Sequence, residues 1–472
     1  MSIPFRRRGF LKLSAFGLAG AGLFGCSREA DGRPDGRDGA RARGTQQFNM
    51  SGYGAPPLET VRIGIIGIGN RGIGGVRRLR RIEGVQITGL CDIEPDRVER
   101  AVAALEGHDQ NPRTYSGRAD AWKAMCESDD VDLVYICTPW DQHAEQSVFA
   151  MEHGKHVGVE LPAAKTIEEC WQLVEVSEAT RRHCMMLGNT CYDFFEMMVM
   201  NMARQGYFGE IVHGEGAYIH DLMQMNFSET YYHDLWRLEE NSTRDGMLYP
   251  PHAIGPMSKL MNINCGDQLD YLVSVSSNDF QMADRARELA EENEMWQPFV
   301  GRNFRGNMNT TTIRTHRGRT IMVQHDVTSP RPYSRIYLVS GTNGTAQKWP
   351  GPARIARDHT GWLSQGAMRE IEEEYTPEIT RRVGDLAREV GGHGGMDTIM
   401  DWRLVDCLRN GLPLDIDVYD AALWSAIAPL SEESLANRSR SVDVPDFTRG
   451  AWETNEPVMD LDLSRGGTTR II

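Results

Sequence analysis

Gly67-Ile68-Gly69-Asn70-Arg71-Gly72 follows directly on the apolar run Val61-Arg62-Ile63-Gly64-Ile65-Ile66 and precedes a stretch of helical character reaching Arg81. A strand that turns through G-x-G-x-x-G into a helix makes a cradle for a pyrophosphate. Gly67 permits the tight turn, Gly69 lets backbone approach the phosphates, Gly72 lets helix pack on strand, and the helix N-terminus favours negative charge. A second apolar run over residues 85–92 ends in Asp92, about twenty residues beyond Gly72, where a carboxylate accepts both adenosine ribose hydroxyls and repels a 2′-phosphate. This chemistry selects NAD over NADP. Ahead of Pro95, Asp92 also has the character of an ordinary helix cap.

Such residues need a scaffold to hold them. Between Leu58 and Asn189 strand patterns over 133–137, 156–159 and 184–187 alternate with helix patterns over 143–153 and 167–180, and Thr166 and Glu169 have the spacing of a capping box. The economical arrangement is a doubly wound parallel sheet, a Rossmann domain over residues 58–190. Ligands lie at the carboxyl ends of such strands. Those loops carry Gly67 to Gly72, Asp92, Thr138-Pro139-Trp140-Asp141-Gln142-His143, Glu160-Leu161-Pro162 and Asn189. His143 there either starts a helix or faces the ligand. Beyond Cys191, strand patterns over 211–218, 271–275, 311–315, 320–325 and 335–340 predict an α+β domain, residues 191–472, built on an open, mostly antiparallel sheet. Charged residues 283–294 read as an exposed helix, and helices over 396–409 and 419–437 are expected to pack near the sheet or the nucleotide domain. An exposed sheet face would suit a homo-oligomer.

With 472 residues the chain exceeds the roughly 250–300 at which a single core stops growing, so at least two packed units are expected. A net charge of −15 opposes nucleic-acid phosphates. Nine dispersed cysteines contain no C-x-x-C pair and read as core residues, and no cluster has metal-ligand spacing. The N-terminus carries a different message. Arg7-Arg8-Gly9-Phe10-Leu11-Lys12 before a short Gly/Ala-rich run resembles a twin-arginine export signal over residues 1–30, and Leu23-Phe24-Gly25-Cys26 resembles a lipobox that would anchor Cys26 to lipid. Residues 31–57 read as a flexible linker. The expected location is the periplasm, free or membrane-anchored. Twin-arginine substrates leave the cytoplasm folded, so a bound dinucleotide can travel with the protein.

The order GIGNRG, YICTPWDQH, VELP and FGEIVHGEGAYIHDL resembles the Gfo/Idh/MocA oxidoreductases. Within that group, Trp236-Arg237, Leu248-Tyr249-Pro250-Pro251-His252, Arg331-Pro332-Tyr333, Gly391-Gly392-His393-Gly394-Gly395-Met396-Asp397 and Pro413-Leu414-Asp415 are similar to glycoside hydrolase family 109, the NAD-dependent α-N-acetylgalactosaminidases. The resemblance runs from about Arg62 to Trp452. One departure from the wider group is the sequence Glu160-Leu161-Pro162, where its dehydrogenases carry Glu-Lys-Pro with a lysine that helps deprotonate a substrate hydroxyl. The resemblance implies NAD contacts from Asn70, Arg71, Asp92, Trp140, Asp141, Gln142, His143, Glu160, Asn189 and Trp236. It implies contacts to a glycoside or glycoconjugate from Tyr218, Arg237, Tyr249, Pro250, Pro251, His252 and Tyr333.

By itself the run Tyr249 to His252 has two prolines that stiffen the chain and position two titratable rings. A histidine near its ordinary pKa, or a tyrosine lowered by nearby cations, can move protons; His252 and Tyr249 are the candidates. Arg237 beside Trp236 also fits a surface cation stacked on an indole, and His393 among four glycines fits either close approach to a ligand or a surface loop. The implied mechanism is redox-neutral. NAD+ takes hydride from carbon 3 of the sugar, the acidified carbon 2 loses a proton, the carbon 1 substituent leaves, water adds, and the hydride returns. A net sugar or polyol dehydrogenase and a non-catalytic sugar-binding protein are the alternatives.

Overall fold

The computed structural model describes residues 44–472. The expected twin-arginine pair Arg7-Arg8, the lipobox at Cys26 and the first part of the expected linker lie outside the described residues. Six strands, β1 (Val61–Ile66), β2 (Val85–Asp92), β3 (Arg113–Ser116), β4 (Leu133–Ile136), β5 (His156–Val159) and β6 (Cys184–Met186), form one sheet in the order β3-β2-β1-β4-β5-β6. All of its pairings are parallel. Helices cover both faces, which explains why β4, β5 and β6 are buried along their whole length and read as unbroken apolar runs. Strand order reverses between β1 and β4, and the crevice opens outside their carboxyl ends. The helix Ile167–Thr180 has the expected capping box, with Thr166 accepting from the Glu169 N–H and the Glu169 carboxylate accepting from the Thr166 N–H.

The second sheet holds β7 (Ile211–Ile219), β8 (Leu269–Ser276), β9 (Asn309–Thr315), β10 (Thr320–Asp326), β11 (Tyr337–Gly341), β12 (Thr345–Lys348), β13 (Arg354–Ala356) and β14 (Val442–Asp443), ordered β13-β12-β11-β7-β10-β9-β8-β14. Its pairings are antiparallel except for β7 with β10, so the chain leaves both central strands at the same end of the sheet. That end carries Tyr218 and His325, whose rings lie 6.0 Å apart. The helices Pro251–Met261 and Val418–Ala436 lie against this sheet. Along β9 burial alternates residue by residue, and Tyr271 and Val275 of β8 are exposed.

Two expectations change. The packed chain begins before Leu58: Met50 is buried, its N–H donates to the Tyr419 hydroxyl, Gln46 donates to the same oxygen, and Gly54 bridges to Pro413. Residues 44–57 are therefore a docked strap rather than a tether, held by partners more than 350 positions away in sequence. The charged helix Met282–Glu292 is exposed on one face only. Its Met282 and Ala286 join Phe227, Leu238, Trp296, Phe299 and Phe304 in a second apolar cluster, which braces the chain around residues 223–238. The cysteines behave as core: Cys91, Cys126, Cys170, Cys184, Cys191 and Cys407 are buried, with Cys137 and Cys265 half-buried.

Candidate active site

The crevice of the first sheet and the strand ends of the second enclose one cavity of about 1240 Å³. That exceeds the roughly 300–1,000 Å³ of a pocket for one drug-sized ligand, leaving room for a dinucleotide and a sugar together.

The nucleotide half fits NAD at the level of single atoms. Gly67 has φ +82°, and a Cβ there would meet the Cys137 backbone at 2.7 Å; a Cβ on Gly72 would meet the Gly67 carbonyl oxygen at 1.9 Å. Gly69 is different. Among the described residues, chain neighbours aside, its Cβ would find only the Arg97 guanidinium, 3.9 Å away, so this backbone is open to an approaching ligand. The helix Asn70–Leu79 starts here without a side-chain cap and without acid in its first turn, leaving its amide groups to an anion. Asp92 accepts from the Ile68 N–H at 2.6 Å and the Glu94 N–H at 2.9 Å, so the carboxylate expected to bind ribose also shapes the glycine loop.

Several expected cofactor residues line the cavity in other roles. Arg71 donates to Glu160 at 2.7 and 2.5 Å and to Asp397 at 3.1 Å, and Asn189 donates to Asp397 at 2.5 Å. Arg78 completes the group, 3.5 Å from Asp397 and 2.7 Å from Asp401. Burial pushes the Asp397 carboxyl up, but its hydrogen bond with His393 and the charges of Arg71 and Arg78 outweigh this and hold it well below the usual carboxylate range. His143 is fixed between two carbonyl oxygens, Pro162 at 2.7 Å and Thr138 at 2.8 Å. Burial pushes its pKa down, and its contacts tie two cavity loops together. The helix bearing it begins at Trp140, earlier than expected, and places Asp141 and Gln142 on the lining. Leu161 is 2% exposed at the cavity wall.

The sugar half is aromatic. Tyr249 stacks on Trp140 with ring centroids 5.7 Å apart and planes at 21°, and Tyr218 and His252 lie 4.7 and 4.9 Å from it. Trp236 meets Trp140 edge-on at 5.2 Å. Tyr333 packs between His220 and Trp349. Pro250 and Pro251 were expected to touch substrate, but both are buried and neither lines the cavity. They start the helix Pro251–Met261, where a missing N–H costs nothing, and thereby aim Tyr249 and His252.

Arg237 is not a surface cation. It is buried, with its guanidinium 5.2 Å from the Trp140 and Tyr249 rings, 5.5 Å from Tyr232, 5.9 Å from Tyr218 and 6.0 Å from Trp236. It donates to the Tyr232 hydroxyl at 3.2 Å, and among the described residues it has no carboxylate partner. Burial works against its charge, yet the phenols of Tyr232, Tyr218 and Tyr249 hold it protonated. Asp234 and Leu235, with φ of 49° and 53°, hold a left-handed backbone just before Trp236 and turn this pair inward.

Burial changes the expected proton chemistry. It pushes His252 well below its ordinary value, assisted by Arg335, and leaves the ring neutral, its buried Nδ1 without a hydrogen-bond partner among the described residues. It raises Tyr249 well above the phenol range despite the nearby cations, and Tyr218 to about 12. Neither tyrosine is lowered. His252 is thus held as a neutral imidazole and Tyr249 as a protonated phenol.

Two titratable residues join the site that sequence reasoning did not assign. His220 lines the cavity, and its Nδ1 shares a hydrogen bond with the Tyr218 hydroxyl at 3.2 Å. The loop 391–395 lifts His393 to the cavity rim with four glycines at positive φ. There His393 Nδ1 pairs with Asp397 at 2.8 Å, and the ring remains 56% exposed. The glycine-flanked His393 was visible in the sequence; its coupling to Asp397 and Arg71 was not.

A six-stranded parallel sheet with this glycine loop, joined to an open sheet whose strand ends cap the crevice, defines an NAD-binding oxidoreductase fold. Residues 61–187 match the family model described as the oxidoreductase family, NAD-binding Rossmann fold. The levoglucosan dehydrogenase complexed with NADH and levoglucosan shares the fold, with a TM-score of 0.61 at 18% identity over 82% of this chain and 99% of that one. Residues 192–454 match the model for the glycosyl hydrolase 109 C-terminal domain. The chain is 47% identical over 415 residues to the α-N-acetylgalactosaminidase of Bacteroides fragilis, covering 86% of this chain and 96% of that protein. It is 44% identical over 455 residues to a glycosyl hydrolase family 109 protein of Solibacter usitatus, covering 96% and 99%. The chain belongs to glycoside hydrolase family 109 and is a glycoside hydrolase with NAD as cofactor.

Proposed function

We propose that this enzyme releases terminal α-linked N-acetylgalactosamine, the sugar named for the Bacteroides fragilis relative, with no net oxidation or reduction. One observation carries the reading: at the meeting of the two cavity halves, the buried Leu161 stands where dehydrogenases of this group carry a proton-moving lysine, while His252, Tyr249 and His393 face the sugar side.

Bound NAD supplies reversible hydride removal from a sugar carbon. The chain holds it through the glycine loop, the open amides of the following helix and Asp92, with Trp140 on the sugar side. Tyr218 and Tyr333 wall the sugar ring. A carbon next to an oxidised one loses its proton more easily, and the neutral His252 imidazole, which lines the cavity, accepts that proton. Negative charge then develops on oxygen, and the caged Arg237, lacking a carboxylate, stabilises it. His393, oriented through Nδ1 by Asp397, exchanges a proton at Nε2 with the departing oxygen and the incoming water.

The test is turnover of an aryl α-N-acetylgalactosaminide in D2O. The released sugar should carry deuterium at carbon 2 while the nicotinamide absorbance returns to its starting value. Product without deuterium would mean direct displacement, and stoichiometric NADH would mean a net dehydrogenase; either result rejects the proposal. We place the enzyme in the periplasm, exported through Arg7-Arg8 and anchored at Cys26, on the strength of the sequence patterns there. Fractionation of cells bearing R7K/R8K and C26A forms tests both steps.

A further inference from the structure

The geometry points to Arg97 as a clamp on the adenosine-side phosphate of the dinucleotide, an inference that rests on the nucleotide reading of the cavity and adds to it a residue which closes the site. Arg97 projects from the helix Pro95–Ala103 back over the glycine loop. Among the described residues, chain neighbours aside, its guanidinium is the one group within 4 Å of a Cβ placed on Gly69, the glycine whose open backbone receives the pyrophosphate. It also stands 3.6 Å from Asp92 Oδ1, so it spans the gap between the phosphate-binding loop and the ribose-binding carboxylate.

That separation exceeds the roughly 3.2 Å limit of a good N–H···O bond, and Asp92 already accepts two backbone N–H groups. The pair is therefore loose, and the guanidinium keeps donors for an anion. Other nearby cations are less suited. Arg71 is committed to Glu160 and Asp397, and Arg77 and Arg100 line the cavity from exposed positions. Arg97 is half-buried, with its side chain 24% exposed, where a charged hydrogen bond to phosphate is stronger than at the surface. A clamp of this kind slows release of a cofactor that, in a redox-neutral cycle, never needs exchange.

Titration calorimetry on cofactor-depleted full-length protein separates this role from a structural one, with ADP and adenosine as probes. In Arg97→Gln, ADP should bind about tenfold more weakly or worse, while adenosine changes less than about twofold. The salt dependence of ADP binding should flatten. Arg97→Lys, which keeps the charge, should recover part of the ADP affinity, and Arg285→Gln, exposed on the helix Met282–Glu292 away from the cavity, should leave it unchanged. Equal weakening of adenosine and ADP, or no change in either, overturns the clamp. If wild-type protein binds neither probe, the nucleotide reading itself fails and the clamp falls with it.

Discussion

Replacing Asp397 with asparagine keeps the shape of the side chain and removes one negative charge from a buried group that contains two guanidinium ions. Asp397 is 1% exposed and accepts from Arg71 and Asn189, with Arg78 at 3.5 Å and His393 at 2.8 Å. Glu160 and Asp401 remain as partners for the two arginines, so each cation keeps one carboxylate, but the shared one is lost. Removing one member of a buried ion group costs about 3–5 kcal/mol. A chain of this length loses only about 1 °C of Tm for each kcal/mol, so the expected fall is about 3–6 °C. The sign with pH follows from the lowered carboxyl: its contribution is complete above the unfolded value and fades only as acid carries the solution down through the folded one. The gap in Tm between wild type and D397N should therefore stay constant from about pH 8 to pH 5 and narrow below about pH 4. Glycoside cleavage should fall by at least about 10²-fold, because His393 loses the group that orients it. Thermal unfolding across pH together with single-turnover cleavage checks both parts. Unchanged Tm, or a gap that closes between pH 8 and 5, would refute the claim that Asp397 joins these elements electrostatically.

H252A and Y249F should each lose about 10²–10⁴-fold in cleavage while still retaining NAD on gel filtration, since neither supplies the glycine loop or Asp92. Full turnover in both would remove them from proton transfer. Acid should loosen the N-terminal strap, because His183 Nε2 accepts from the Ala55 N–H and the ring stacks between Tyr53 and His156. Burial lowers His183 to about 4, so the unfolded chain takes up the proton first and stability drains away as pH falls from about 6.5 to about 4. Limited proteolysis within residues 44–57 should quicken over that window; a pH-independent rate would disprove the link.

The nucleotide half was legible because its signals are local. The glycine loop lies within six consecutive residues, Asp92 ends the next strand, and the capping box at Thr166 and Glu169 fixed the start of a helix whose bounds the structure reproduces. The sugar half was legible only through resemblance. Tyr218, Tyr249 and Arg237 come from three separate elements, and nothing in their own spacing says that the parallel pairing of β7 with β10 and the two prolines before His252 will bring them together. His220 and Arg97 carry no motif, and their roles exist only through side chains that face them across the fold. The strap failed for the same reason. Phe48, Met50 and Tyr53 sit among glycines and prolines, a composition that suggests a tether, and the Tyr419 hydroxyl that captures Phe48 and Met50 belongs to a helix near the other end of the chain. Short strands such as β3, β12 and β13 present too few residues to show an alternating pattern.

The distribution of charge around the cavity bears on why a dehydrogenase fold can serve a glycosidase. At the crevice, Glu160, Arg71, Asp397 and Arg78 satisfy one another, so Glu160 is not left as a free base. Leu161 beside it has no proton to give or take. On the sugar side the position is reversed: among the described residues the buried Arg237 has no carboxylate partner, and five aromatic rings surround its charge instead. An uncompensated buried cation is tolerable in a site where negative charge appears during the reaction and disappears before product leaves, because the cation is then worth more in the transition state than in the resting enzyme. A net dehydrogenase has less need of it, since the alkoxide it must form is served by a lysine close to the nicotinamide. The missing lysine and the unpaired arginine thus point the same way, towards proton loss from carbon and transient charge on oxygen within the sugar itself.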